Sequence, residues 1–328
     1  MEVLITGGAG FLGAKLARKL LEKGTLADAS GSQQPITRLT LLDVVAAQGF
    51  NDPRVNIVTG DVADAATLAR VVTPSVQSIF HLAAVVSGEA EADFELGMRI
   101  NLDATRLLLE QARKNGNRPR VVFTSTVAVF GGDMPPKVLD STPATPQGSY
   151  GSQKAMCELM VSDFTRKGFI DGRSLRLPTI SVRPGKANKA ASSFASGIIR
   201  EPLNGVVSEC PVPPDTKVWV LSPRCTIKNL VHAHELDAAG FARKGAAIAG
   251  IPSRPDWLPI AWRPKTPDGA EPFPVFPAHA IAVMPDAWFK GKIVLVGAVL
   301  SITDRHRTSL TAHLSDGDGT MPGVLVQA

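Results

Sequence analysis

A doubly wound α/β fold on a parallel sheet is what the first two-thirds of this sequence predict, on three observations. Short β-branched runs alternate with longer amphipathic stretches over residues 1–183. A glycine-rich turn follows the first of those runs and opens the first amphipathic stretch. The 328 residues are 44% apolar and 20% charged, a balance that suits one large core or two smaller ones.

The strands are expected at Val3 to Thr6, Leu39 to Asp43, Val55 to Val58, Ser78 to Leu82, Arg120 to Ser125 and Leu175 to Val182. Between the first two, Leu12, Leu16 and Leu20 recur every four residues while Lys15, Lys19 and Lys23 take other faces, so this helix lays one stripe on the sheet. Gly24 is its stop signal. Residues 28–35 are polar around Ser30, Gly31 and Ser32 and read as a surface loop or hairpin inserted before the second strand. Past about Gly240 prolines crowd in, from Pro252 to Pro277, and three of the four tryptophans, Trp257, Trp262 and Trp288, lie in this part too. One strong strand, Lys292 to Ala298, stands there, so a domain boundary is expected between Leu236 and Gly250.

Composition also excludes some functions. The net charge is +5, but lysines and arginines are scattered without interleaved aromatics, which argues against nucleic acid and for a small anionic ligand. Cys157, Cys210 and Cys225 have no paired ligand spacing, so neither a disulfide frame nor a metal site is expected. His232 and His234 stand two apart in a helical segment, on different faces, and do not share a metal. Apolar runs such as 294–300 fall short of the roughly 20 residues a membrane span needs, so no membrane partner and a cytoplasmic location are expected.

Gly7, Gly10 and Gly13 stand at three-residue spacing between a strand and a helix that opens with Phe11 and Leu12. Glycines there let backbone approach a pyrophosphate, whose charge the free amides and dipole of the helix stabilise. Asp43 ends the second strand, where a carboxylate accepts from ribose hydroxyls and repels a 2′-phosphate, so the expected cofactor is NAD. Asp61 and Val62 follow the third strand near the adenine, and Leu82, Ala83 and Ala84 close the fourth with small residues beside the cofactor. Tyr150 and Lys154 are four apart and share a helix face. An ammonium beside a phenol favours the phenolate, which can remove a hydroxyl proton. Thr124, Ser125 and Thr126 lie upstream at the end of the fifth strand, where open α/β sheets carry their ligands.

Together these motifs resemble the extended short-chain dehydrogenases/reductases, the NAD-dependent epimerase/dehydratase superfamily with a Rossmann-type sheet. The resemblance implies that Thr126 holds and polarises the substrate oxygen, with Ser125 as second candidate, and that Tyr150 and Lys154 relay the proton. Within the superfamily the chain is similar to sugar-acid-oxidising members over about residues 1–238, through 81–88, 97–103 and the run 175–205. That likeness implies NAD-dependent oxidation of a carbinol in an erythronate-like aldonate. It adds Asn101 and Pro178 to the cofactor's neighbours, beside Tyr150 and Lys154, and Ser87 to the substrate's. Arg183 and Asn188, after the sixth strand, are donors suited to the substrate carboxylate. A homodimer is one assembly open to it. Dehydration of nucleotide sugars usually needs acidic residues directly after the catalytic threonine, where Val127 and Ala128 stand; epimerisation stays open.

The family's C-terminal substrate lobe is not recognisable. After a junction at 239–254, residues 255–328 resemble the end of a second-class CHASE extracytoplasmic sensor domain, in 274–279, 288–298, 303–308 and 321–326. The expectation is an unrelated α+β-like fragment, a recombined or chimeric chain, and with it the alternative that the first part binds NAD without turnover.

Overall fold

The computed structural model describes residues 1–236, except 136–137, 140–141, 214–215 and 217, together with 248–249. The sensor-like segment 255–328 and the strand expected at 292–298 lie outside these residues, as does all of the junction 239–254 but 248–249.

Strands β1 (Glu2–Thr6), β4 (Arg38–Asp43), β5 (Val55–Thr59), β6 (Val76–His81), β7 (Arg120–Thr126) and β8 (Asp171–Leu177) form a parallel sheet in the order β8-β7-β6-β1-β4-β5. The chain builds one half outward from β1 to β5, then returns beside β1 with β6 and continues to β8. The strand order therefore reverses between β1 and β6, and the crevice beyond their carboxyl ends is where such sheets hold ligands. Ile248–Ala249, expected within the junction, is instead a short strand pairing parallel to Ser174 and Leu175 at the β8 edge. Its two residues are too few to carry a readable period.

Helices cover both faces. Leu4, Leu42, Ile79, Val121 and Phe123 pack with α2 (Ala65–Val71), α5 (Ala104–Asn115) and α6 (Ser149–Arg166) through Leu68, Leu108, Cys157 and Val161. Burying each such Leu, Ile, Val or Phe side chain contributes about 1.5–3 kcal/mol. Phe80, of opposite strand parity, stacks at 5.3 Å on His234 of α8 (Pro223–Glu235). The end of α8 is held firmly: Arg120 and Arg173 both donate to the His234 carbonyl, at 2.8 and 2.7 Å, and Asp171 accepts from both guanidinium groups. Carbonyls that a helix end leaves unpaired thereby find partners.

Helix α1 (Phe11–Lys23) ends at Gly24 in the left-handed conformation, φ 73°. The polar stretch after it is a hairpin, β2 (Thr25–Ala27) against β3 (Gln33–Pro35), and this insertion is what delays Asp43 beyond the usual interval. Glu235 ties the hairpin to α8, accepting from Ala27 N and Gln33 Nε2.

The described residues divide into two compact units. Met1–Pro178 and the part of α8 from Arg224 onward belong to the first, Thr179–Pro223 to the second. The strand expected from Leu175 to Val182 is broken at Pro178, which has no N–H for the ladder. β8 stops at Leu177, and β9 (Thr179–Ile180) pairs instead with β10 (Val220–Leu221) in the second unit. That unit also contains α7 (Phe194–Leu203), whose Ile198 and Ile199 pack with Val182 and Cys210.

Candidate active site

The glycine turn has the shape a dinucleotide needs. Gly7 sits at φ 73°, a region L side chains rarely adopt, and a Cβ there would lie 2.9 Å from Ala83 N. Gly13 is tighter: its Cβ would meet the Gly7 carbonyl oxygen at 2.0 Å, so only glycine lets α1 start this close to β1. Gly10 is the N-cap and offers no side chain to the first turn, which also carries no acidic residue. The amide-rich start of α1, beginning at Phe11 and Leu12, is thus left for an anion. Asp43 ends β4, half-buried, and its Oδ2 accepts from Ala9 N at 3.0 Å within the same turn. This cradle, with a carboxylate at its far side, fits the pyrophosphate and ribose of NAD.

Beyond β5, Asp61 accepts from Ala63 N and pairs with Arg99, while Val62 is buried. Leu82, Ala83 and Ala84 follow β6, the first two packing their backbone against Gly7, and Ser87 begins the short helix α3 (Ser87–Ala92), which precedes α4 (Phe94–Gly97). Asn101 lies in a π-helical turn, Met98–Asp103, a distortion often found at functional sites. It is 1% exposed; its Oδ1 accepts from Val85 N at 2.9 Å and its Nδ2 donates to Gln153 Oε1 at 2.8 Å. Pro178 is buried where β8 ends.

The helix α6 carries Tyr150 on its first turn and Lys154 one turn later. Lys154 is buried. Its Nζ donates to the Thr124 carbonyl at 2.9 Å and lies 4.7 Å from the centre of the Phe123 ring and 5.9 Å from that of Tyr150. Burial lowers its pKa to about 8, against the opposing pull of Cys157 and Glu158. An ammonium near the phenol at neutral pH is what a phenolate needs.

Thr126 stands half-buried at the end of β7, and its Oγ1 accepts from Ala128 N at 3.1 Å, which leaves its proton for another acceptor. Ser125, one residue earlier, is 3% exposed and its Oγ has no hydrogen-bond partner among the described residues. Alternate residues of a strand take opposite faces, so a register of one residue separates the two hydroxyls completely.

Two features were not legible in the chain. Gly151 sits between Tyr150 and the rest of α6, and a Cβ on it would lie 2.2 Å from the Ala128 carbonyl oxygen. It lets the helix press against the loop that follows Thr126. The other is the polar set Thr6, His81 and Thr105 beneath the crevice, whose members are 24 and 75 residues apart in sequence. An unexplained histidine before Leu82-Ala83-Ala84 was the available signal.

Arg183 and Asn188 belong to the second unit. Arg183 N donates to Ser196 Oγ and its carbonyl accepts from Arg200, while Asn188 Oδ1 accepts from Ala190 N in a local turn. Among the described residues no cluster of three or more potential metal ligands occurs, and no helix is long and apolar enough to cross a membrane.

A parallel sheet that reverses at β1, with a glycine cradle above it and a helix bearing Tyr150 and Lys154 beside it, defines a dinucleotide-dependent enzyme. The chain belongs to the NAD-dependent epimerase/dehydratase family, whose profile it matches over residues 3–220, and it is an NAD-dependent oxidoreductase acting on a CH–OH carbon. It is 63% identical over 252 residues to the D-erythronate dehydrogenase of Cupriavidus necator, covering 77% of each chain. It is 48% identical to the D-erythronate dehydrogenase of Haemophilus influenzae, over 72% of this chain and 73% of that one. Among solved structures it is similar to a nucleoside-diphosphate-sugar epimerase from Agrobacterium tumefaciens, at 43% identity and a TM-score of 0.68, over 75% of this chain and 71% of that one.

Proposed function

We propose that this protein oxidises the secondary alcohol of a short sugar acid, an erythronate-like aldonate, with NAD as the oxidant. The single observation that carries the reading is the pairing of Tyr150 and Lys154 on one turn of α6, pressed by Gly151 onto the loop behind Thr126. The 63% and 48% identical relatives supply the substrate class.

NAD, when bound, is the two-electron acceptor. Gly7, Gly10 and Gly13 bring backbone to its pyrophosphate, with Phe11 and Leu12 at the helix start, Asp43 on the adenosine ribose and Asp61 and Val62 toward the adenine. Leu82, Ala83, Ala84, Asn101 and Pro178 complete its surroundings. Thr126 donates its hydroxyl proton to the substrate oxygen and fixes the carbinol. Tyr150 accepts the carbinol proton as phenolate, and the Lys154 ammonium stabilises that phenolate. Ser87, Arg183 and Asn188 are assigned to the substrate, the latter two to its carboxylate, on the sequence reading alone. The resemblance of 255–328 to a sensor fragment plays no part in this reading.

The test is incubation of the full chain with NAD and a panel of four- to six-carbon sugar acids, following NADH absorbance. Turnover of a sugar acid that vanishes in Tyr150→Phe, with NAD affinity kept, supports the assignment. Full activity in that variant removes Tyr150 from the chemistry. The Agrobacterium likeness favours one rival, nucleotide-sugar epimerisation. Interconversion of nucleotide sugars without net NADH, and no oxidation of any acid in the panel, would establish it instead.

A further inference from the structure

We infer that His81 is a positioning residue for the NAD site, acting as the centre of a one-directional hydrogen-bond relay that locks the two chain segments lining the crevice. The inference rests on the reading of that crevice as the NAD site and extends it to a residue that touches neither cofactor nor substrate.

The direction of the relay follows from its ends. Thr105 Oγ1 lies 2.8 Å from the Asn101 carbonyl, which can only accept, so the Thr105 hydroxyl spends its proton there. It must then accept from His81 Nε2, 3.0 Å away, and that nitrogen carries the ring proton. His81 Nδ1 is left as an acceptor, so Thr6 Oγ1, at 2.6 Å, donates to it. Thr6 Oγ1 in turn accepts from Ala83 N at 3.2 Å. One backbone amide and one backbone carbonyl thus select a single neutral tautomer of a buried imidazole.

The groups joined are those the cofactor needs in place. Thr6 is the last residue of β1 and precedes Gly7; Ala83 is the residue whose amide leaves no room for a Cβ on Gly7. Thr105 lies in the first turn of α5, beside the π-helical turn that holds Asn101, and Asn101 reaches back to accept from Val85 N. A ring through Thr6, His81, Thr105 and Asn101 therefore props both 6–8 and 82–85 from below. Its surroundings suit a neutral ring: Phe123 lies 5.8 Å from the imidazole, the Lys154 ammonium is nearby, and the Cys157 thiol shares the Asn101 carbonyl at 3.2 Å. A protonated ring would present hydrogens to both threonines and deprive Thr6 of its acceptor.

The experiment uses the full chain. The imidazole nitrogens of His81, assigned by its loss in a variant, are read by ¹⁵N NMR at pH 7, and NAD and NADH affinities are measured for wild type, His81→Phe and His81→Asn. The expected spectrum is that of a neutral ring protonated at Nε2. His81→Phe keeps the apolar contacts and cuts both arms, so NAD binding should weaken about tenfold or more. His81→Asn can still accept from Thr6 and should restore most of that loss, which a purely packing role would not do. Should His81→Phe fail to fold, Thr105→Val removes the far acceptor and should shift the ring toward a mixture of tautomers. A ring protonated at Nδ1 or charged at pH 7, or a folded His81→Phe with wild-type NAD affinity, overturns the proposal. A wild-type chain with the expected tautomer and no NAD binding would instead overturn the cofactor reading, and the positioning role with it.

Discussion

Two histidines buried in neutral form make the folded state sensitive to mild acid. Burial, then the Lys154 charge, holds His81 down to a pKa of about 3. Burial first, then Arg120 and Arg173, holds His234 down to about 3, with Asp171 pulling the other way and Lys23 adding a little. Unfolded, each ring titrates near 6.5, so between pH 6.5 and 3 the unfolded chain binds protons that the folded chain refuses. A depressed folded pKa gives stability that is present above the unfolded value and lost as pH falls. At pH 5 the unfolded ring lies about 1.5 units below its pKa, which at roughly 1.4 kcal/mol per unit is about 2 kcal/mol per histidine and about 4 kcal/mol for both. The assay is urea unfolding of the full chain by circular dichroism at pH 8 and pH 5, at fixed ionic strength. His81→Gln with His234→Gln should be less stable at pH 8, because the Thr6, Thr105 and Ser78 bonds are disturbed, yet should lose about 4 kcal/mol less between the two pH values. A double variant whose stability falls as steeply as wild type would refute the reasoning.

Other perturbations follow from the same geometry. Gly151→Ala forces a Cβ to within 2.2 Å of the Ala128 carbonyl, so α6 must retreat. Displacing Tyr150 and Lys154 by about 1 Å from Thr126 should cost on the order of 100-fold in kcat, with NAD affinity changed far less. Asp43→Ala should weaken NAD about tenfold or more, and NADP less, in direct titrations; an equal loss for both would take Asp43 off the ribose. The Lys154 ammonium should titrate near 8 in the free chain, against about 10.4 for unperturbed lysines, when dimethylated lysines are followed by ¹³C NMR. An ordinary lysine value there would show that the side chain is not buried as described.

The chain announced those parts of the fold whose cause is local. A stripe at helical spacing, a glycine in the left-handed region at residue 24, and three glycines between a strand and a helix each act over a few residues, and all of them stand where the sequence places them. The polar insertion at 28–35 was legible as a loop or hairpin for the same reason, because polar turn residues declare themselves, while its first strand, Thr25–Ala27, lies outside that stretch. That Tyr150 and Lys154 share a turn of α6 was legible because a four-residue interval on a helix fixes a shared face whatever the helix packs on.

What the tertiary structure alone decided depends on partners distant in sequence. That Ser125 is buried while Thr126 stays half-exposed turns on which face of β7 meets α6, a parity that only packing sets. Pro178 could be read as a proline in a run but not as the point where the chain leaves one sheet for another unit. Gly151 looked like any helix glycine until the Ala128 carbonyl filled the space over it. His81 shows the limit most clearly: its residue type admits two tautomers and a charged form. The one that supports the crevice is selected by a carbonyl 20 residues later and by the Ala83 amide acting through Thr6 on the neighbouring strand, backbone groups with no pattern in sequence because nearly every residue carries them.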